Sequence, residues 1–240
     1  MKCPNGVLVD GLDALSVFMK RFTYPCRFGD MVVRFGKPVP QLSMITNRLM
    51  DYVFDEYSHL LADLNQPWLS RSSLRHLAAA IHDEVAPLVN CWGFIDGTKI
   101  PLCKPDQSQR ILYNEQIRMH GIKFQSVVAP NGLIASPLGP VEGRRYDSSV
   151  LVDSVLLQEL SQYSFAPDGT PLCVYGDPAY PLRVHLQGFF KGANLTPVGQ
   201  QFNKAMSQVS FGRVTIWGLC ELLCIPRFQE KLKNRLETCL

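Results

Sequence analysis

A chain of 240 residues that is 46% apolar and 19% charged can bury a sizeable core, which excludes a disordered or low-complexity class. Its net charge of +3 is too small to argue for nucleic acid by itself. No run of about 18 apolar residues is present to form a membrane-spanning helix.

In chain order, the first feature is "DGLDALSVFMKRFTY", which spaces Leu12, Leu15, Phe18, Met19 and Phe22 at helical intervals until Pro25 interrupts. A short helix then ends near Phe35-Gly36, and a longer one begins at about Gln41. Helix, short helix, Gly-Lys-Pro turn and longer helix is the outline of a helix-turn-helix unit, an outline that many proteins binding no DNA share. Residues 20 to 48 hold six cations (Lys20, Arg21, Arg27, Arg34, Lys37, Arg48) against one anion, Asp30. That excess suits a phosphate-binding face and equally a solvated helix surface. After "QPWLSRSS", Ser70 is placed to cap a helix carrying Leu74, Leu77 and Ile81, and Pro87 closes the helical region.

From residue 90 the periodicity changes. "CWGFI" reads as a strand, and "IRMHGIKFQSVVAP" and "LIASPLGPV" as two more, joined by a hairpin turn at Pro130-Asn131-Gly132. "YDSSVLVDSVLLQELSQY" is expected to be one helix with Asp147 as its N-cap, and "PLCVYGD" a further buried strand. The tail "RFQEKLKNRLETCL" spaces Phe228, Leu232 and Leu236 as a basic amphipathic helix. Eight cysteines, at positions 3, 26, 91, 103, 173, 220, 224 and 239, form no C-x-x-C pair, which fits neither a zinc knuckle nor a disulfide framework. Cys91, Cys103 and Cys173 lie in apolar runs and read as buried thiols. With no signal-peptide pattern at the N-terminus, a reducing intracellular compartment is the expectation.

Two of these strands deliver an acid at their ends, Asp96 and Asp177. Burying a charge is costly unless it is paired or bound to a metal. If the strands are neighbours in one sheet, the two carboxylates meet and repel unless a cation lies between them, and Mg²⁺ or Mn²⁺ suits such hard oxygen donors. Divalent ions held this way activate water and stabilise the leaving oxygen of a phosphodiester. The alternative is that each Asp opens a turn through its own Asx hydrogen bond. Asp-Gly-Thr after a strand also resembles the haloacid-dehalogenase phosphatases, but their nucleophile lies two residues before this Asp, where the chain has Phe94.

"GFIDGT", "HGIKFQSVVAPNGLIASPLGPVEGRRYDSSVL", "VYGDPAYPL" and "FNKAMSQVSFGRV", in that order, closely resemble the DDE superfamily nuclease domain of PIF/Harbinger-type transposases and their domesticated relatives. The resemblance spans roughly residues 90 to 215. It implies an α/β, RNase H-like fold, a mixed central sheet flanked by helices, preceded by a small all-helical domain. It also implies three acids that bind divalent metal and cleave DNA, with Asp96 and Asp177 as the first two. The family's third acid, a glutamate before a Phe-Gly pair, has no counterpart here, because Asn203 and "AMSQV" run almost directly into "FGRV". The next acid after Asp177 is Glu221, in the apolar stretch "IWGLCELLCI", and it is the one substitute the chain offers as a metal ligand.

The expected organisation is a helical domain over 1–89, an RNase H-like nuclease domain over 90–224 that is truncated near 210, and a basic tail over 225–240. Expected DNA contacts are Arg27, Arg34, Lys37 and Arg48 in the helical region and Arg144 and Arg145 before Asp147. By resemblance, the location is the nucleus or the cytoplasm, and the partners are DNA and a separate Myb-like DNA-binding protein, with no membrane. Cleavage is expected to be impaired by the missing acid. The rival expectation is a non-catalytic scaffold that binds DNA or a protein partner.

Overall fold

A computed structural model of the chain describes residues 1–3, 6–23, 27–102, 109–114, 118–192 and 194–213. They fall into two compact units, one containing Met1–His59 and the other Leu60–Thr215. The first unit contains helices α1 (Gly11–Thr23), α2 (Phe28–Phe35) and α3 (Val39–Tyr57). Its core is Cys3, Val9, Ala14, Val17, Met31, Leu42 and Ile45. The α1 face therefore differs in part from the expected one: Leu12 is 75% exposed and Leu15 and Met19 are also exposed, while Phe22 turns inward as expected and Ala14 and Val17 turn inward with it. Both sets fit a helical period, and the inward one puts small side chains where α1 packs against α3.

In the second unit a 3-10 turn (Pro67–Leu69) leads into α4 (Arg71–His82), whose Ser70 cap accepts from the Ser73 N–H at 3.3 Å as the sequence indicates. Strand β1 (Cys91–Pro101), helix α5 (Gln109–Leu112) and strands β2 (Tyr113–Asn114), β3 (Met119–Val128) and β4 (Ile134–Glu142) follow. Helices α6 (Asp147–Val152) and α7 (Leu156–Tyr163), strands β5 (Cys173–Gly176) and β6 (Leu186–Gly188), and helix α8 (Pro197–Arg213) complete it. The strands form one mixed sheet ordered β2-β3-β1-β5-β6, with β4 also on β3. Strand β1 is antiparallel to β3 and parallel to β5, β5 is parallel to β6, and β3 and β4 make the expected hairpin. This curled mixed sheet with flanking helices is compatible with an RNase H-like fold.

Three expectations are corrected. The single helix after residue 146 is two, because the Ser154 hydroxyl turns back to the Leu151 carbonyl at 2.7 Å and supports a break. Asp147 is not its N-cap: Tyr146 holds that place, and no side chain caps there. Strand β1 does not stop at Asp96 but runs through it to Pro101, paired with β3 at every step from Phe94.

One sheet face buries Trp92, Ile95, Val127, Leu151, Val174, Tyr180 and Leu186, and another apolar cluster gathers Cys91, Phe94, Cys173, Tyr175 and Met206. Alternation along β1 slips between Cys91 and Gly93, where its register with β5 shifts by a residue. Cys91 and Cys173 are buried free thiols as expected, whereas Cys103 lies outside the described residues. The fully buried Trp92 donates its indole N–H to the Ser164 hydroxyl at 2.8 Å, and that hydroxyl donates to the Leu172 carbonyl. Trp92→Phe removes the donor and part of the ring, so equilibrium urea unfolding is expected to show a loss of about 1–3 kcal/mol.

Candidate active site

Strand register brings the two acids together. Ile95 of β1 pairs with Gly176 of β5 in the parallel ladder, so Asp96 and Asp177 are the next residues on adjoining strands. Neighbouring positions of a parallel pair face the same side of a sheet. Each carboxylate has one local hydrogen bond: Asp96 Oδ1 accepts from the Gly97 N–H at 2.8 Å, and Asp177 Oδ1 accepts from the Ala179 N–H at 2.9 Å. The Asp177 contact is the Asx turn of the structural alternative, and it does not occupy Oδ2. Asp96 keeps an open side to solvent, yet the crowding of its other side raises its pKa above the ordinary aspartate value. The Gly97 N–H opposes that rise, and the charges of Asp177 and Asp147 add to it.

The third nearby acid, Asp147, reaches the sheet from the first turn of α6. Its carboxylate lies against the α-carbon of Gly97: a Cβ there would fall 2.2 Å from Asp147 Oδ1, so any larger residue would push the Asp147 carboxylate aside. Successive strand residues alternate, so Asp96 and Gly97 meet opposite faces, and Asp147 approaches from the side Asp96 leaves. Asp147 forms an ion pair at 3.0 Å with Lys123 of β3, whose side chain is 3% exposed and whose ammonium also donates to the Arg145 carbonyl at 2.5 Å. Tyr180, 2% exposed, stacks over Gly176, and its hydroxyl has no hydrogen-bond partner among the described residues. Burial and the charges of Asp147, Asp177 and Asp96 raise the pKa of that hydroxyl and keep it protonated.

Sequence reasoning missed Lys123 and Tyr180. Lys123 had a signal, as the lone cation in the apolar run "IKFQSVV", but a strand lysine ordinarily alternates toward solvent. Tyr180 had only its position three residues after Asp177. Glu221 lies outside the described residues, as does the whole tail expected to be a basic helix. Arg27, Arg34 and Arg48 are exposed, and half-buried Lys37 pairs with Asp13 at 3.3 Å; all four lie in the first unit. In the second unit, Arg144 faces Glu142 at 3.6 Å, and Arg145 pairs with Asp153.

A divalent cation fits the donor chemistry of the strand tips: two carboxylates at adjoining positions, one of them discouraged from ionising by burial and by the neighbouring acids, would supply the hard oxygens and the field a cation relieves. Among the described residues, no three His, Cys, Asp or Glu side chains are arranged to hold one ion. No helix among the described residues is long and apolar enough to cross a membrane. No curated protein and no solved structure matches the chain. Residues 95–211, from the position before Asp96 and including Asp147 and Asp177, match the model of a family described as DDE superfamily endonuclease.

Proposed function

We propose that this is a transposase-derived endonuclease of the DDE type, related to the PIF/Harbinger group, that binds a divalent metal at Asp96 and Asp177 and acts on DNA. The observation that carries it is the parallel register of β1 and β5, which puts the two acids at adjoining positions within the segment that matches the endonuclease family. When bound, Mg²⁺ or Mn²⁺ would supply charge neutralisation at a phosphodiester and make an attacking water more acidic. The chain's own residues then have separate tasks. Asp96 and Asp177 hold the cation, while Lys123 offsets the charge of Asp147 behind β1. Buried Tyr180 packs over Gly176 beside the acids and keeps its proton. With two acids rather than three, the site attracts metal weakly, and strand cleavage is impaired.

Isothermal calorimetry with Mg²⁺ and Mn²⁺ tests this reading. Saturable binding by the wild type that disappears in Asp177→Asn is the expected result, together with slow nicking of supercoiled plasmid. Indistinguishable heats for the two proteins would remove the metal site. A second reading, a non-catalytic scaffold that binds DNA or a Myb-like protein partner in the nucleus, is favoured by the lack of a third acid grouped with the pair among the described residues. Salt-sensitive duplex binding without nicking is its signature.

A further inference from the structure

A cavity of about 640 Å³ opens in the second unit, within the roughly 300–1,000 Å³ of small-molecule sites. Its cationic wall is Arg110, Lys123, Arg144 and Arg145, and its aromatic wall is Tyr113, His120 and Tyr146. Among the described residues, Asp147 is the one acid lining it. Such a lining takes an anion with a flat ring attached. Most small-molecule sites are chiefly apolar, so this cation-rich one is marked by charge rather than by shape.

We propose that this cavity seats one unpaired nucleotide of a DNA strand, its phosphates against the arginines and its base against the tyrosines. Tyr146 is 71% exposed, and Tyr113, 38% exposed, is braced edge-to-face on His120 with ring centroids 5.3 Å apart. Exposed rings beside a cationic wall are how proteins hold single strands, because every base has a face to stack and every step has a phosphate. The Arg144–Glu142 pair is long, at 3.6 Å, and its arginine is well exposed, so a phosphate can displace the glutamate at little cost. Arg145 is tied to Asp153 and Lys123 to Asp147; these two cations add field to the wall while their own partners hold them in place. Asp147 connects the cavity to the strand tips, since it lines the one and its charge reaches Asp96 at the other. A base-paired nucleotide cannot offer a free face to the tyrosines, so the cavity selects a frayed, flipped or single-stranded position.

The inference rests on DNA being the partner under the proposed function, but not on the metal, so its test is run in EDTA. Fluorescence anisotropy compares the full chain on a short single-stranded oligonucleotide and on the matching duplex. The single strand is expected to bind more tightly. Tyr146→Ala is expected to weaken single-strand affinity roughly 10-fold, the scale of one base–aromatic stack, and to leave duplex affinity within about twofold. Tyr146→Phe retains the wild-type value, which separates stacking from a folding defect. Arg144→Ala weakens both DNAs, and millimolar inorganic phosphate fails to compete with the oligonucleotide. Tighter duplex binding, equal loss on both DNAs in Tyr146→Ala, or full competition by phosphate alone would each overturn the proposal. Metal titration of the same preparations reports on Asp96 and Asp177 separately, so failure of one reading is not mistaken for failure of the other.

Discussion

Asp147→Ala is expected to destabilise the protein by about 3 kcal/mol, the lower end of the range for breaking a buried ion pair. Lys123 sets the size of the effect. Its side chain is 3% exposed and its ammonium has two oxygen partners, the Asp147 carboxylate at 3.0 Å and the Arg145 carbonyl at 2.5 Å. Without the carboxylate, a full positive charge is left in the sheet with a single neutral acceptor, and the unfolded chain, where the lysine is hydrated, gains by comparison. The side chain of Asp147 keeps 21% of its surface in solvent, and water entering there limits the loss.

The same reasoning separates this pair from a simple packing contact. Asp147→Asn keeps the shape but not the charge, so it is expected to lose nearly as much stability as Asp147→Ala. The double variant Lys123→Met with Asp147→Leu removes both charges and is expected to recover most of the loss, because two charges need not be desolvated when neither is present. Urea unfolding of wild type, Lys123→Met, Asp147→Leu and the double variant closes the cycle that gives the coupling. A loss within about 0.5 kcal/mol of wild type for Asp147→Ala, as for an ordinary surface change, would show that the pair contributes nothing.

What could be read from the sequence follows the range of the signals. The β3–β4 hairpin is local: an apolar run, an Asn-Gly turn and a second run specify it, and the structure pairs Val128 with Ile134 across that turn. The adjacency of Asp96 and Asp177 was also accessible, since each follows a short apolar run and such runs make neighbouring core strands. The continuation of β1 through Asp96 was not, because Gly97 and Thr98 look like a turn until Asp147 fills the space beside Gly97. Nor was the Lys123–Asp147 pair, whose partners are separated by the whole hairpin. Strands β2 and β6, of two and three residues, are too short to carry a period at all. The inward face of α1 is not legible from residue size, because the large Leu12 and Met19 are exposed whereas the small Ala14 and Val17 are buried. The candidate site was therefore legible in its acids and hidden in the groups that flank them, because acids mark a sequence and buried neighbours emerge only from packing.

Asp96→Asn should act on metal affinity and on stability in opposite directions. Removing a carboxylate from a two-acid site is expected to weaken Mg²⁺ or Mn²⁺ binding on the order of 100-fold or more, at least the upper end of what more distant shells contribute. In the metal-free protein the same change relieves a conflict. Partial burial, Asp177 and Asp147 all raise the Asp96 pKa above its ordinary value, and the Gly97 N–H offsets only part of the rise. A carboxyl whose pKa is higher in the folded state binds its proton more tightly there, so the folded protein loses stability as pH rises from the ordinary aspartate range toward the folded value. Below about pH 4, near the ordinary aspartate pKa, the conflict is largely absent. Asparagine carries no charge at any pH and can still accept the Gly97 N–H, so it removes the conflict where wild type suffers it. Chemical denaturation in EDTA should find Asp96→Asn more stable than wild type at pH 7, with the gap closing as the buffer is lowered toward pH 4. A variant less stable than wild type at pH 7, or a gap that persists unchanged into acid, would mean that the acids at the strand tips do not strain one another, and with that strain goes the electrostatic reason for a cation to bind between them.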